Sequence, residues 1–116
     1  MAFQIKKVEK FNIGTIRKPV YKVYDKGGFE DFNLSDASFS IKQSKTGTVV
    51  ESGSCTINNA DQDAAGNTIK TIQPTINLTG TDVEPGPHFM DFFVEFTNGE
   101  SDVFLVPIEI VEYREA

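Results

Sequence analysis

The chain has 116 residues, 24% of them charged, with ten Phe, three Tyr, no Trp and a formal net charge of −6. That length holds one domain around one modest core, and the aromatic content excludes a disordered chain. The acidic balance argues against binding a nucleic-acid backbone, which needs a basic surface.

Taken in chain order, FQIKKVEKF (Phe3 to Phe11) and TIRKPVYKVY (Thr15 to Tyr24) read as strands, and DKGG reads as the turn after them. ASFSIKQ alternates cleanly, with Ala37, Phe39 and Ile41 on one face and Ser38, Ser40 and Lys42 on the other; that period marks a half-buried strand. SKTG follows as a turn, then TVVES, a further turn, and SCTIN. DQDAAGN is a polar loop leading into TIKTIQPTINL, where Pro74 marks an edge or a strand end. PGPH precedes a long hairpin around Asn98-Gly99. No segment carries a 3.6-residue apolar stripe of helical length. Turn signals every ~8–12 residues predict an antiparallel sandwich or barrel, without internal repeat, linker or second domain.

The hairpin poses a register problem. Met90, Phe92, Val94 and Phe96 share one face of its first strand, and Phe104, Val106, Ile108 and Ile110 share one face of its second. A two-residue Asn98-Gly99 turn pairs position 94 with 103 and sets those faces on opposite sides of the sheet. A one-residue shift restores them to one side, so the expectation is a three-residue loop or bulge pairing Val94 with Phe104, Phe92 with Val106 and Met90 with Ile108.

With that parity, Phe93, Val103 and Leu105 fall on the other face, interrupted by Asp91, Glu95, Pro107 and Glu109. A second apolar patch on a small antiparallel sheet is covered either by the chain's own N-terminal strand or by another subunit. The candidate assembly contacts are therefore Phe3, Ile5 and Val8 on the N-terminal arm, with Phe93, Val103 and Leu105 on the sheet. Basic residues Lys6, Lys7, Lys10, Arg17, Lys18, Lys22 and Lys26 gather in the first quarter. That asymmetry is suited to orienting head-to-tail packing between copies, although solvated strand surface is the plainer reading.

Catalytic and metal chemistry finds little support. The single histidine, His88, lies among prolines at a strand start, and no nucleophile elbow accompanies it. Cys55 is the only cysteine, so no internal disulfide forms; it shares a strand face with Ile57 and reads as a buried small hydrophobe. Asp61, Asp63 and Gly66 match three positions of a calcium loop, but Ala65 and Ile72 stand where ligand oxygens belong. The carboxylate pairs Asp82 and Glu84, or Asp91 and Glu95, have no pocket to serve. No catalytic residue, metal ligand or cofactor is expected. Nor is a membrane span, since no apolar run approaches ~18–20 residues. The start MAFQIKKVEKF lacks the apolar segment and cleavage site of a secretory signal, so a complete chain made in a host cytoplasm is the expectation.

Three stretches, DFNLSDASFSIKQSKTGTVVESGSCTI, NADQDAAGNTIKTIQP and VEPGPHFMDFFVEFTNGESDVFLVPIEIVE, carry a resemblance over residues 12 to 113. Their order of turns and alternating strands resembles the immunoglobulin-like domain at the N-terminus of bacteriophage baseplate upper proteins and of related phage tail and virion proteins. That family usually has Tyr two residues past the Pro-Gly, where this chain has His88. The resemblance implies an all-β, antiparallel immunoglobulin-like β-sandwich of about seven to eight strands. Residues 1–116 would be that single domain, with 1–11 as an additional strand or arm. It further implies a non-enzymatic virion structural protein of the tail, baseplate, neck or capsid decoration. Its partners would be other virion proteins or further copies of itself, with no nucleic acid and no membrane. The alternative is an immunoglobulin-like binding module that grips a host polysaccharide or protein through end loops such as Asp61 to Asn67.

Overall fold

A computed structural model describes residues 8–23, 32–80 and 83–112. Those residues form nine strands and no helix: β1 (Glu9–Asn12), β2 (Ile16–Arg17), β3 (Tyr21–Lys22), β4 (Leu34–Gln43), β5 (Val49–Gln62), β6 (Thr68–Pro74), β7 (Ile76–Asn77), β8 (Gly86–Phe96) and β9 (Ser101–Val111). The strand order β1-β9-β8-β4-β5-β6-β3 is continuous, with β2 and β7 pairing separately. Neighbours are antiparallel except β1 and β9, which run parallel and depart from the all-antiparallel expectation.

This order closes on itself. In a flat sheet, four strand spacings would hold β3 and β8 about 19 Å apart. Instead the ring of Tyr21 on β3 packs against Phe92 on β8, with centroids 5.1 Å apart. The sheet has folded over into a sandwich, and β5 is the strand that turns the corner. Its first half, Val49 to Ser54, pairs with β4, and its second half, Cys55 to Gln62, pairs with β6. The buried residues of β8 and β9 (Met90, Phe92, Val94, Phe104, Val106 and Ile108) face Tyr21, Cys55, Ile72 and Leu78 from the other layer.

Two features let β5 cross between layers. The sequence pattern places a turn at Gly53; the chain instead continues as one extended strand through it. Gly53 sits opposite Phe39, and a Cβ there would come within 3.3 Å of the Phe39 ring. The aromatic ring takes the space a side chain would occupy, so the strand can bend without leaving a void. Beyond the crossing, Asn59 reaches back to β4: its Oδ1 accepts from the Leu34 N–H at 2.7 Å and its Nδ2 donates to the Leu34 carbonyl at 3.1 Å. A side-chain amide thereby imitates the backbone pairing that β5 gave up on turning.

The hairpin corrects a second expectation. The two apolar faces do share one side, as the buried-face argument requires, but the register is Phe92 with Phe104, Met90 with Val106 and Val94 with Asp102. The three-residue loop is Thr97 to Gly99, closed by the Phe96 N–H donating to the Glu100 carbonyl at 2.8 Å. Gly99 explains the choice, because its φ of 89° is open to glycine. A loop one residue later would impose that conformation on Glu100. The N-terminal readings shift as well: of the segment Phe3 to Phe11 only its end lies in β1, residues 1–7 being outside the described ones. Thr15 to Tyr24 is divided by Lys18 to Val20, which contain Pro19.

Replacing Asn59 with Ala removes both hydrogen bonds to Leu34 and is expected to cost about 1–2 kcal/mol. Asn59→Asp should cost more, since a carboxylate cannot donate to the Leu34 carbonyl and would face it. Urea unfolding of the two variants measures the difference; equal, unchanged midpoints would show that the crossing is held without Asn59.

Candidate assembly face

The strands β8 and β9 have two unlike faces because successive side chains point to opposite sides. The inner side is the core. On the outer side Phe93 sits directly opposite Val103, Leu105 opposite Asp91, and Phe89 opposite Pro107. Four of these remain substantially in solvent, Phe93 at 39%, Val103 at 55%, Leu105 at 53% and Phe89 at 41% exposure. Val8, 48% exposed, adjoins them where it lines a shallow depression of about 280 Å³ with Phe89, Pro107 and Glu109.

The placement of β1 bears on what covers this face. The chain's own N-terminal strand was one of two candidates. β1 lies beside β9 in the plane of the sheet, pairing Glu9 with Ile108 and Phe11 with Ile110. It extends the sheet sideways and does not lie over the face. Of the six residues singled out as contacts, Phe93, Val103, Leu105 and Val8 come together on this surface, while Phe3 and Ile5 lie outside the described residues. Phe89 was missed. Its signal was its parity, since it points the same way as Asp91 and Phe93.

The charges around the face are arranged unevenly. Lys42 pairs with Asp91 at 3.0 Å on the β4 side, and Lys10 approaches Glu109 at 4.0 Å on the β1 side. At the other end of the stripe Asp36 and Glu95 are cross-strand partners, both exposed. Like charges placed directly opposite are unfavourable in an antiparallel pair.

The groups considered for chemistry are engaged elsewhere. His88 is buried, its Nδ1–H donating to the Gly86 carbonyl at 2.9 Å, with Nε2 lacking a hydrogen-bond partner. Asp63 closes its own loop, accepting from the backbone N–H groups of Ala65 at 3.0 Å and Asn67 at 2.9 Å. The Asn67 N–H is the main cause holding its carboxyl below the usual range. Asp61 accepts from the Thr71 hydroxyl at 2.9 Å. Among the described residues, no three His, Cys, Asp or Glu side chains come together to hold a metal ion. Asp91 is taken by Lys42, and Asp82 lies outside the described residues. A depression of about 330 Å³ beside His88 is lined by Gln43, Lys45, Glu84 and the Pro85-Gly86-Pro87 run.

No protein-family model matches the chain, and no curated protein does. Among solved structures, CopC from Methylosinus trichosporium OB3b is similar, with a TM-score of 0.52 at 15% identity over 94% of this chain and 88% of that one. At that identity the likeness is one of fold, and it supports the β-sandwich.

Cys55 is set in this frame as a core residue. Burial, with the Asp36 charge adding to it, pushes its thiol from an ordinary 9.0 up to about 12. At pH 8 that leaves roughly a thousandfold less thiolate than a free cysteine would have. Native protein is therefore expected to resist iodoacetamide at pH 8 and to react once urea unfolds it; equal rates in both states would overturn the assignment. Because the folded pKa is the higher one, the associated stability is intact below pH 9 and is lost as pH climbs toward about 12. Tyr21, whose hydroxyl is pushed up by burial and by Glu9, acts in the same direction.

Proposed function

We propose that the protein is a non-enzymatic structural component that works by packing against other proteins through the outer face of β8 and β9. The observation that carries this reading is the contiguous exposed stripe of Phe89, Phe93, Val103 and Leu105. These side chains are not scattered singly, as surface hydrophobes usually are; they adjoin one another across paired strands. Contiguous patches of this kind mark interaction surfaces on soluble proteins. The sequence resemblance over residues 12 to 113 supplies the setting, a bacteriophage virion, with other virion proteins or further copies as partners. In a repeated assembly a small patch suffices, because many copies act together.

Catalysis has no part in this reading, and neither does recognition through the end loop. Asp63 spends its carboxylate on the loop's own backbone, leaving Asp61 to Asn67 a closed turn.

The test is incorporation in the producing host. The chain and a variant carrying Phe93→Ser, Val103→Ser and Leu105→Ser are followed by sedimentation of the lysate. Wild type is expected in the fast-sedimenting particle fraction and the variant in the slow fraction. Wild type found only as free protein throughout particle assembly would overturn the reading.

A further inference from the structure

We infer that Asn98, in the loop between β8 and β9, is a site of spontaneous deamidation, and that the hydrogen bonds closing the hairpin end set its rate. The inference goes beyond the assembly reading and does not depend on it. Three observations carry it: the residue that follows Asn98, the two bonds that hold the pair, and the exposure of the loop.

Asn98 is the one asparagine in the sequence that is followed by glycine. The pair has its own chemistry. The backbone nitrogen of Gly99, once it loses its proton to solvent base, attacks Cγ of Asn98. A C–N bond forms and the bond to the side-chain nitrogen breaks. Ammonia leaves, having regained through water the proton that Gly99 gave up. The resulting five-membered imide takes up water at either carbonyl and opens to aspartate or isoaspartate at position 98. Nothing is oxidised or reduced. Glycine favours the step because no Cβ crowds the attacking nitrogen and its backbone turns freely. Every other asparagine in the chain precedes a residue with a side chain.

The folded loop opposes that attack at both reacting groups. The Gly99 N–H donates to the Phe96 carbonyl at 3.0 Å, which engages the proton the nucleophile must lose. Oδ1 of Asn98 accepts from the Glu100 N–H at 3.0 Å, which fixes the side chain bearing the carbon to be attacked. Two bonds of ordinary net strength favour the closed loop over the open one by roughly ten- to a hundredfold. Both bonds lie in solvent. Thr97 to Glu100 are all exposed, and a Cβ added at Gly99 would meet nothing within 4 Å, so no packing holds the loop down there. Exposed backbone bonds at a strand end open locally while the core stays folded. The reaction therefore proceeds from the open hairpin end, at a fraction of its rate in the unfolded chain.

The product alters the loop in two ways. Aspartate and isoaspartate each add a carboxylate to a hairpin end that already carries Glu95, Glu100 and Asp102, in a chain of net charge −6. Like charges gathered there repel one another. Isoaspartate also inserts a methylene into the main chain, lengthening the three-residue loop that the Phe96–Glu100 bond closes.

The test follows the purified full chain at pH 8, native and across urea concentrations up to and beyond unfolding. Peptide mass spectrometry locates the deamidated residue, and enzymatic methylation counts isoaspartate. Position 98 is expected to react before any other asparagine, with a native rate roughly ten- to a hundredfold below the unfolded one. That rate should already rise in urea below the unfolding transition. In the unfolded chain Gly99→Ala should slow the reaction about tenfold, a comparison that does not require the variant to fold. Asn98→Asp, the charge product, should lower the melting temperature at low salt, with the deficit shrinking as salt rises. Another asparagine reacting first overturns the inference, as do equal rates in native and unfolded protein. A native rate flat in urea until global unfolding would place the barrier in the whole fold and overturn the role of the hairpin end. An Asn98→Asp chain that melts with wild type at low salt would overturn the charge consequence.

Discussion

The passage of β5 from one layer to the other is the constraint on which the rest of the molecule depends. A single strand long enough to pair with β4 through its first half and with β6 through its second joins the layers without a loop. Strand backbone has little freedom to turn without breaking its hydrogen bonds. Gly53 permits the bend by carrying no side chain beneath the Phe39 ring, and Asn59 replaces the pairing lost on the far side with its own amide. Once that corner is set, Tyr21 is carried onto Phe92 and the core closes from both sides.

Closing the core in this way leaves one broad surface that no other strand of the described residues overlies. The strands β4, β8, β9 and β1 turn their large apolar inner side chains into the core, and their outer side chains face away from it. On β4 these are Ser38, Ser40 and Lys42, which solvent suits; on β8 and β9 they are Phe89, Phe93, Val103 and Leu105. That difference between adjacent strands of one sheet sets the outer face of β8 and β9 apart from the rest of the sheet.

The residues capable of chemistry are largely absorbed by the architecture. Cys55 lies where β5 changes layers and is kept protonated by burial, Asp63 ties a hairpin loop, and His88 packs inward at the start of β8. Each is held in the fold by burial or by hydrogen bonds.

Much of this was legible from the chain alone. Period-two alternation in ASFSIKQ, HFMDFFVEF and SDVFLVPIEI assigned strands and separated inner from outer side chains, because strand geometry leaves no third direction. That same parity put Phe93, Val103 and Leu105 on one face and favoured a longer loop over a two-residue turn at Asn98-Gly99. What the sequence could not decide were matters of partnership across distance. Whether Gly53 is a turn or a bend depends on Phe39 arriving above it; the pairing of Phe92 with Phe104 depends on Gly99 taking the last place in its loop. That β1 lies beside β9 and not across its face depends on which edge the closed sandwich leaves available. Alternation determined the two faces of each strand; only the folded sheet decided which of those faces would remain open.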